Sequence, residues 1–173
     1  MGEVSKLIWL NRQHLDQAIQ MIESIGDAEY CHTDSRLFTS GIGEHVRHVV
    51  EHYLMFLNGL SAGSIDYDAR ERDLRISSQR SFATESIKSL QLQLEAIPCQ
   101  DSFIRVKMMT SDQDELNTPW SDSSLSRELQ YLQAHTIHHY ALIAMILRLQ
   151  NFEPSSEFGV APSTLKYRQT QFA

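Results

Sequence analysis

The sequence predicts an all-α protein built on four long amphipathic helices. Two observations carry that expectation. Only 7 Gly and 4 Pro occur in 173 residues, which disfavours a turn-rich all-β fold. Four stretches also place apolar residues three and four apart, so that they share one helical face. A chain of 173 residues with 42% hydrophobic content can bury a real core, so residues 1–173 are expected to form a single domain.

The first helix is expected from Ser5 to Ile25, with Leu15, Ala18, Ile19, Ile22 and Ile25 as its stripe and Gly26 as its stop. His14 lies on the flank of that stripe and reads as a partly buried or surface residue. From Asp27 to Ser40 the chain is polar and irregular. Cys31 and His32 stand side by side there, but adjacent residues point apart, which makes a weak metal pair.

The second helix is expected from Gly41 to Leu60. Ser40 is a suitable N-cap, and Glu44 falls in the first turn, where the helix dipole favours a carboxylate. Ile42, Val46, Val49, Tyr53, Phe56, Leu57 and Leu60 make its apolar face, and His45, His48 and His52 run along one edge. His45 and His52 lie nearer the apolar centre, and His48 nearer the boundary with Glu44 and Glu51. Periodicity does not choose among the three.

Residues 61–80 are charged, weakly periodic and longer than a tight antiparallel turn requires. Such a connection can cross the end of a bundle, so helices 2 and 3 need not be antiparallel. Asp66, Asp68, Glu71 and Asp73 suggest a cation site. They lack the Gly and terminal Glu of a calcium loop, however, and Arg70, Arg72 and Arg75 interleave with them, which favours a solvated, internally paired loop. Tyr67 or Asp68 could cover the mouth of a pocket.

The third helix is expected from Ser81 to Ile97, ended by Pro98. Ser102 to Met108 then alternates, with Ile104, Val106 and Met108 on one face and Arg105 and Lys107 on the other, which is a strand pattern. Asn117 to Trp120 is its expected partner, forming a small β-hairpin between helices 3 and 4. The tail from Glu153 to Ala173, with two prolines, reads as extended and packed on the bundle through Phe158, Val160, Leu165 and Tyr167.

The fourth helix, Leu125 to Leu149 with Ser123 or Ser124 as its cap, carries the chemistry. On a helical wheel of roughly 100° per residue, Leu125, Leu129, Leu132, Leu142, Ile143, Ile146 and Leu149 fall within about 80° of His139. His135 lies about 40° to one side and Glu128 about 20° to the same side. Burying two unpaired imidazoles in a core costs free energy, so a metal is a natural explanation. Core histidines bonded to Glu128 or to tyrosines are the plainer alternative. Two histidines at i and i+4, joined by a third from a neighbouring helix, would offer three nitrogens and leave a coordination position open.

Composition narrows the partners. The net charge of −7, without a Lys/Arg cluster, argues against a nucleic-acid phosphate backbone. The apolar run Ala141 to Leu147 is too short to span a bilayer. Cys31 and Cys99 make no disulfide framework and nothing resembles a signal peptide, so a cytoplasmic location is expected.

SGIGEHVRHVVEHYLMFL together with QAHTIHHYALI resembles the helix-2 and helix-4 segments of the DinB/YfiT-like metalloenzyme superfamily. IDYDARERD and FGVAPSTLKYR resemble an uncharacterised DinB-like subgroup. The resemblance implies a four-helix bundle with a long helix 2–3 crossover and a divalent transition metal (Zn, Ni or Fe(II)) near one end. Its ligands map onto His48, His135 and His139, with His45 and His52 as substitutes and His138 outside. It further implies a thiol S-transferase that activates a low-molecular-weight thiol for attack on an electrophile; Glu128, roughly two turns before His135 on the same face, is placed to be an orienting or acid/base residue. Tyr140 stands where many members have Arg after the final His pair. A metal-dependent hydrolase and a non-catalytic, metal-binding stress or interaction protein stay open as alternatives. Such bundles commonly pair through a helix face, so a homodimer is also open.

Overall fold

The computed structural model describes residues 2–111 and 118–171. In chain order the described elements are α1 (Glu3–Ser24), α2 (Asp27–Cys31), α3 (Ile42–Leu60), β1 (Ser64–Asp66), α4 (Leu74–Ser78), α5 (Arg80–Glu95), β2 (Phe103–Lys107), β3 (Ser121–Ser124), α6 (Leu125–Leu149) and α7 (Pro162–Gln171). The protein is mostly helical with a small sheet.

The four long helices meet around one core. α1 packs on α5 and α6, and α3 packs on the same two helices from the other side. Leu15 and Ile22 from α1, Val49 and Phe56 from α3, Leu90 and Leu94 from α5, and Leu129 and Ile143 from α6 are all buried. Each such side chain contributes on the order of 1.5–3 kcal/mol through burial. α6 begins where its N-cap Ser124 accepts the Arg127 N–H and ends at Leu149. Leu149 itself is exposed, as the stripe drifts out of the core in the last turn.

One polar network runs through the apolar centre. Tyr53 on α3 donates to Asn11 Oδ1 at 2.6 Å, and Thr136 on α6 donates to the Tyr53 hydroxyl at 3.3 Å. Asn11 in turn donates to the carbonyls of Leu7 and Leu129. Because buried polar groups are costly unless paired, this network holds α1, α3 and α6 in one register.

The all-α expectation is corrected by a three-stranded sheet ordered β1-β2-β3. β1 pairs parallel to β2, with Ile65 opposite Val106, and the intervening α4 and α5 supply the crossover that parallel pairing needs. β1 lies in the segment expected to be a charged loop, and three residues are too few to display an alternating pattern. The antiparallel partner of β2 is Ser121–Ser124, whereas residues 118–120 form no strand and Asn117 lies outside the described residues. Four polar residues, Ser-Asp-Ser-Ser, have no intrinsic strand preference. They are extended because β2 satisfies their backbone groups.

Other expectations need adjusting. Gly41, rather than Ser40, precedes α3, and its N–H is accepted by Glu44 Oε2 at 2.8 Å. Asp27–Cys31 forms one helical turn, held by the Tyr30 hydroxyl donating to the Ile76 carbonyl at 2.6 Å. The tail is not wholly extended, because Pro162 opens α7, where its missing N–H has no helical role to lose. No α7 side chain is buried. Phe158 anchors the tail by stacking on Tyr140, with ring centroids 4.6 Å apart. Beside it, Gly159 has φ +71°, and a Cβ there would come within 2.4 Å of the Ala141 nitrogen, so only glycine allows this close approach to α6. No helix among the described residues is long and apolar enough to cross a membrane.

Tyr53→Phe should lower the unfolding free energy by about 1–3 kcal/mol, because Asn11 Oδ1 stays buried but loses its donor. Urea titration would measure this, and an unchanged midpoint would remove the network from its role.

Candidate metal centre

α3 and α6 pack side by side, and their histidine rows meet at the seam. His45, His48 and His52 succeed one another at intervals of three and four on α3, as do His135 and His139 on α6. Five imidazoles consequently form one cluster. His48 Nε2 lies 3.2 Å from His135 Nε2, which lies 3.2 Å from His139 Nε2. His45 Nδ1 approaches His139 Nδ1 at 3.0 Å. The His52 ring packs on that of His135, with centroids 4.0 Å apart.

Protons alone do not account for these contacts. A neutral Nε2 carries either one hydrogen or one in-plane lone pair, so His135 Nε2 can complete a linear hydrogen bond with only one of its two Nε2 neighbours. A tetrahedral ion with metal–nitrogen distances of about 2.0–2.1 Å separates its nitrogen ligands by roughly 3.3 Å. The two 3.2 Å separations match that spacing. Donor atoms of His48, His52 and His135 all lie within 4.8 Å of one another, and His139 reaches this trio through its 3.2 Å approach to His135.

The second nitrogens have partners of their own. If His139 offers Nε2, its Nδ1 carries the hydrogen and donates to His45 Nδ1, the outer contact that fixes a ligand's tautomer. His52 Nδ1 must also carry a hydrogen, because it donates to the His48 carbonyl at 2.8 Å. Arg70 Nη1 lies 3.0 Å from its Nε2 and 3.4 Å from its Nδ1, which places the guanidinium over the ring face. Of the His52 nitrogens, Nδ1 is thus committed to the His48 carbonyl, while His135 Nε2 stands 3.2 Å from both His48 Nε2 and His139 Nε2. His135 Nδ1 is buried without a protein partner.

The rings are held neutral, the state a ligand requires. Burial pushes the pKa of His135 down to about 2, that of His48 to about 3, and those of His52 and His139 to about 4. The neighbouring rings lower His48, His135 and His139 further. Burial lowers His45 as well. Aromatic walls flank the cluster: Tyr131 stacks on His135 and Tyr67 on His52.

Glu128 is buried and meets the cluster indirectly. Its Oε2 accepts from the Tyr67 hydroxyl at 2.8 Å and its Oε1 from Ser123 at 2.5 Å. It therefore holds the tyrosine that stacks on His52. Tyr67 packs against the His52 ring, and Asp68 accepts the Met109 N–H. His138 is exposed. His14 is half-buried between Gln17 and Gln133, and Cys31 donates to the Ser78 carbonyl. The acidic residues of the crossover are largely paired, Asp66 with Lys107 and Asp73 with Arg75.

Two features were not legible in the chain. Arg70 reads as one charge among many until the fold carries it to His52. Glu51, expected at the polar boundary of its helix, is buried beside Arg47 because α4 covers that face. Gly43 allows this: a Cβ there would meet the Ser77 carbonyl oxygen at 2.1 Å.

FK506-binding protein 5 of Rhizopus delemar is 34% identical over 112 residues, covering 62% of this chain and 28% of that protein. This chain therefore spans under a third of the curated relative's length. No protein-family model matches the chain. No solved structure matches it.

The depressed histidine pKa values set a pH dependence for the metal-free protein. Below about pH 6.5 an unfolded chain takes up protons that the folded cluster refuses until about pH 4. The stability from these groups is fully present above pH 6.5 and declines as the pH falls. Urea midpoints should drop between pH 7.5 and 5.5, and the drop should shrink in His135→Phe. Equal slopes in both proteins would contradict a buried neutral cluster.

Proposed function

We propose that this chain is a metal-dependent thiol S-transferase holding one divalent transition ion (Zn, Ni or Fe(II)) through His48, His135 and His139. The observation that carries the reading is the placement of His135 Nε2 3.2 Å from both His48 Nε2 and His139 Nε2. The four long helices fit the four-helix bundle implied by the DinB-like resemblance, with the charged connection as its crossover. Free Cys31 and Cys99 are compatible with a cytoplasmic setting.

When bound, such an ion would lower the pKa of a coordinated thiol and favour the thiolate at neutral pH. The remaining work falls to the chain itself. Burial keeps the ligand rings deprotonated at neutral pH, and His45 accepts the His139 Nδ1 hydrogen so that Nε2 faces the cluster. Tyr131 and Tyr67 limit water at the ring faces, and Glu128 holds Tyr67 in place. In the transfer, a sulfur–carbon bond would form at the electrophile while its leaving group departs with the bonding electron pair.

One observation favours the non-catalytic alternative, a closed metal-binding protein. His52 offers a buried nitrogen within 4.8 Å of those of His48 and His135.

Purified protein reconstituted with Zn should hold about one ion per chain, and His135→Ala or His139→Ala should lower affinity at least ~100-fold, since each removes a direct ligand rather than an outer partner. Metal analysis after dialysis would show it, and equally low metal in all three proteins would end the reading. The metal-loaded enzyme should also consume a cellular thiol in the presence of a chromogenic electrophile faster than the metal-free protein. No excess over that control, with any thiol tried, would reject the transferase assignment.

A further inference from the structure

We propose that Arg70 and Tyr131 form an anion-binding ledge beside the metal centre, so that a substrate held there carries a carboxylate. The inference rests on the three-histidine reading above and names the chemistry of the ligand that site would take.

The cluster can be reached from solvent. His48, His135 and His139 are half-buried at the seam of α3 and α6, and so are Arg70 and Tyr131 beside them. Arg70 lies over the His52 ring, its Nη1 3.0 Å from Nε2 and 3.4 Å from Nδ1. Tyr131 stacks on His135 with ring centroids 5.6 Å apart, and its ring stands 6.4 Å from that of His52. The two are electrostatic neighbours: burial and Glu128 raise the Tyr131 pKa, and the Arg70 charge opposes them.

Arg70 has donors to spare. An arginine carries five N–H groups and no acceptor, and it keeps its charge at all accessible pH values. The contacts of Arg70 run from Nη1 to His52, and its guanidinium meets no carboxylate at ion-pair distance among the described residues. Its arginine neighbours are already paired, Arg47 with Glu51 and Ser77, and Arg75 with Asp73. The nearby carboxylates are engaged as well. Glu51 is buried against Arg47, Asp66 pairs with Lys107, and Asp68, which is felt at His52 and Tyr131, accepts the Met109 N–H. A half-buried guanidinium without a counter-ion is half of a pair, and a carboxylate completes it with two parallel hydrogen bonds.

Tyr131 adds a second donor. Its hydroxyl donates to the Met108 sulfur at 3.4 Å, and a thioether is a weak acceptor. An anionic oxygen in that place would make the stronger bond.

The placement sets the substrate class. Little more than the His52 ring separates Arg70 from the nitrogens of His48 and His135. A small thiol on an ion at those nitrogens, or an electrophile brought up to it, would have its own carboxylate within reach of the ledge. The charge of the ion itself favours an anionic ligand over a neutral one.

The test measures equilibrium binding to the Co(II)-loaded protein, without turnover. One probe pair is 3-mercaptopropionate and its methyl ester, read by the thiolate-to-Co(II) absorption band. The other is 3,5-dinitrobenzoate and its methyl ester, unreactive stand-ins for an aromatic electrophile, read by calorimetry. Wild type should bind the carboxylate of at least one pair about tenfold more tightly than the ester, as a charge-assisted pair requires. The pair that discriminates assigns the carboxylate to the thiol or to the electrophile. Arg70→Gln should reduce the preference to about twofold or less, because it removes the charge and the fork. Arg70→Lys and Tyr131→Phe should leave it intermediate, and Co(II) affinity in all three variants should stay within about threefold of wild type. No preference in wild type, or one that survives Arg70→Gln, would overturn the inference while the three-histidine site stands. Loss of Co(II) binding in Arg70→Gln would overturn it equally, by making Arg70 a support of the centre. A wild type that takes up no Co(II) would overturn the three-histidine reading and this inference with it.

Discussion

The register of α3 against α6 sets every distance in the histidine cluster. Neighbouring residues on a helix differ by about 1.5 Å along its axis, so a slip of two residues would carry facing nitrogens beyond any shared ion. Apolar packing alone tolerates small slides, because one leucine contact resembles the next. The hydrogen bonds through Tyr53, Asn11 and Thr136 do not, since each has one partner at one height. Tyr53 follows His52 directly and Thr136 follows His135 directly, so the network that fixes the register lies within one residue of the cluster it aligns.

Placing imidazoles in this seam is costly for a metal-free fold. Burial disfavours their charged forms, which leaves nitrogen atoms facing one another with too few hydrogens to pair them all. The buried His135 Nδ1 without a protein partner adds to that cost. Proteins retain such arrangements where function requires them, and strongly shifted ionisable clusters mark functional sites more often than random ones. An ion at the convergent nitrogens would turn the unfavourable contacts into bonds.

The crossover between α3 and α5 does more than connect. Its first residues form β1, which ties the sheet to the end of α3. Tyr67 follows, its ring on His52 and its hydroxyl on Glu128, and then Arg70 over the ring of the same histidine. α4 then covers Glu51 and Arg47. A segment with weak periodicity thus carries residues that pack around His52.

The helices were legible because burial on one face leaves a period of 3.6 in the sequence, and α6 was bounded at both ends by that pattern and its serine cap. The pairing of His135 with His139 followed from the same geometry, as did the row of His45, His48 and His52. Periodicity relates residues within one helix and is silent about the next. It therefore could not say that His48 and His135 would approach to 3.2 Å, nor that the more apolar position of His52 would be met by Arg70. β1 and β3 were hidden for a related reason: strands of three and four residues owe their form to hydrogen bonds with a distant partner rather than to their own side chains. Local propensity determined which helices would form and which faces bore histidines. Long-range packing alone decided which nitrogens meet, because that depends on the relative height and rotation of helices whose facing His48 and His135 are 87 residues apart in the chain.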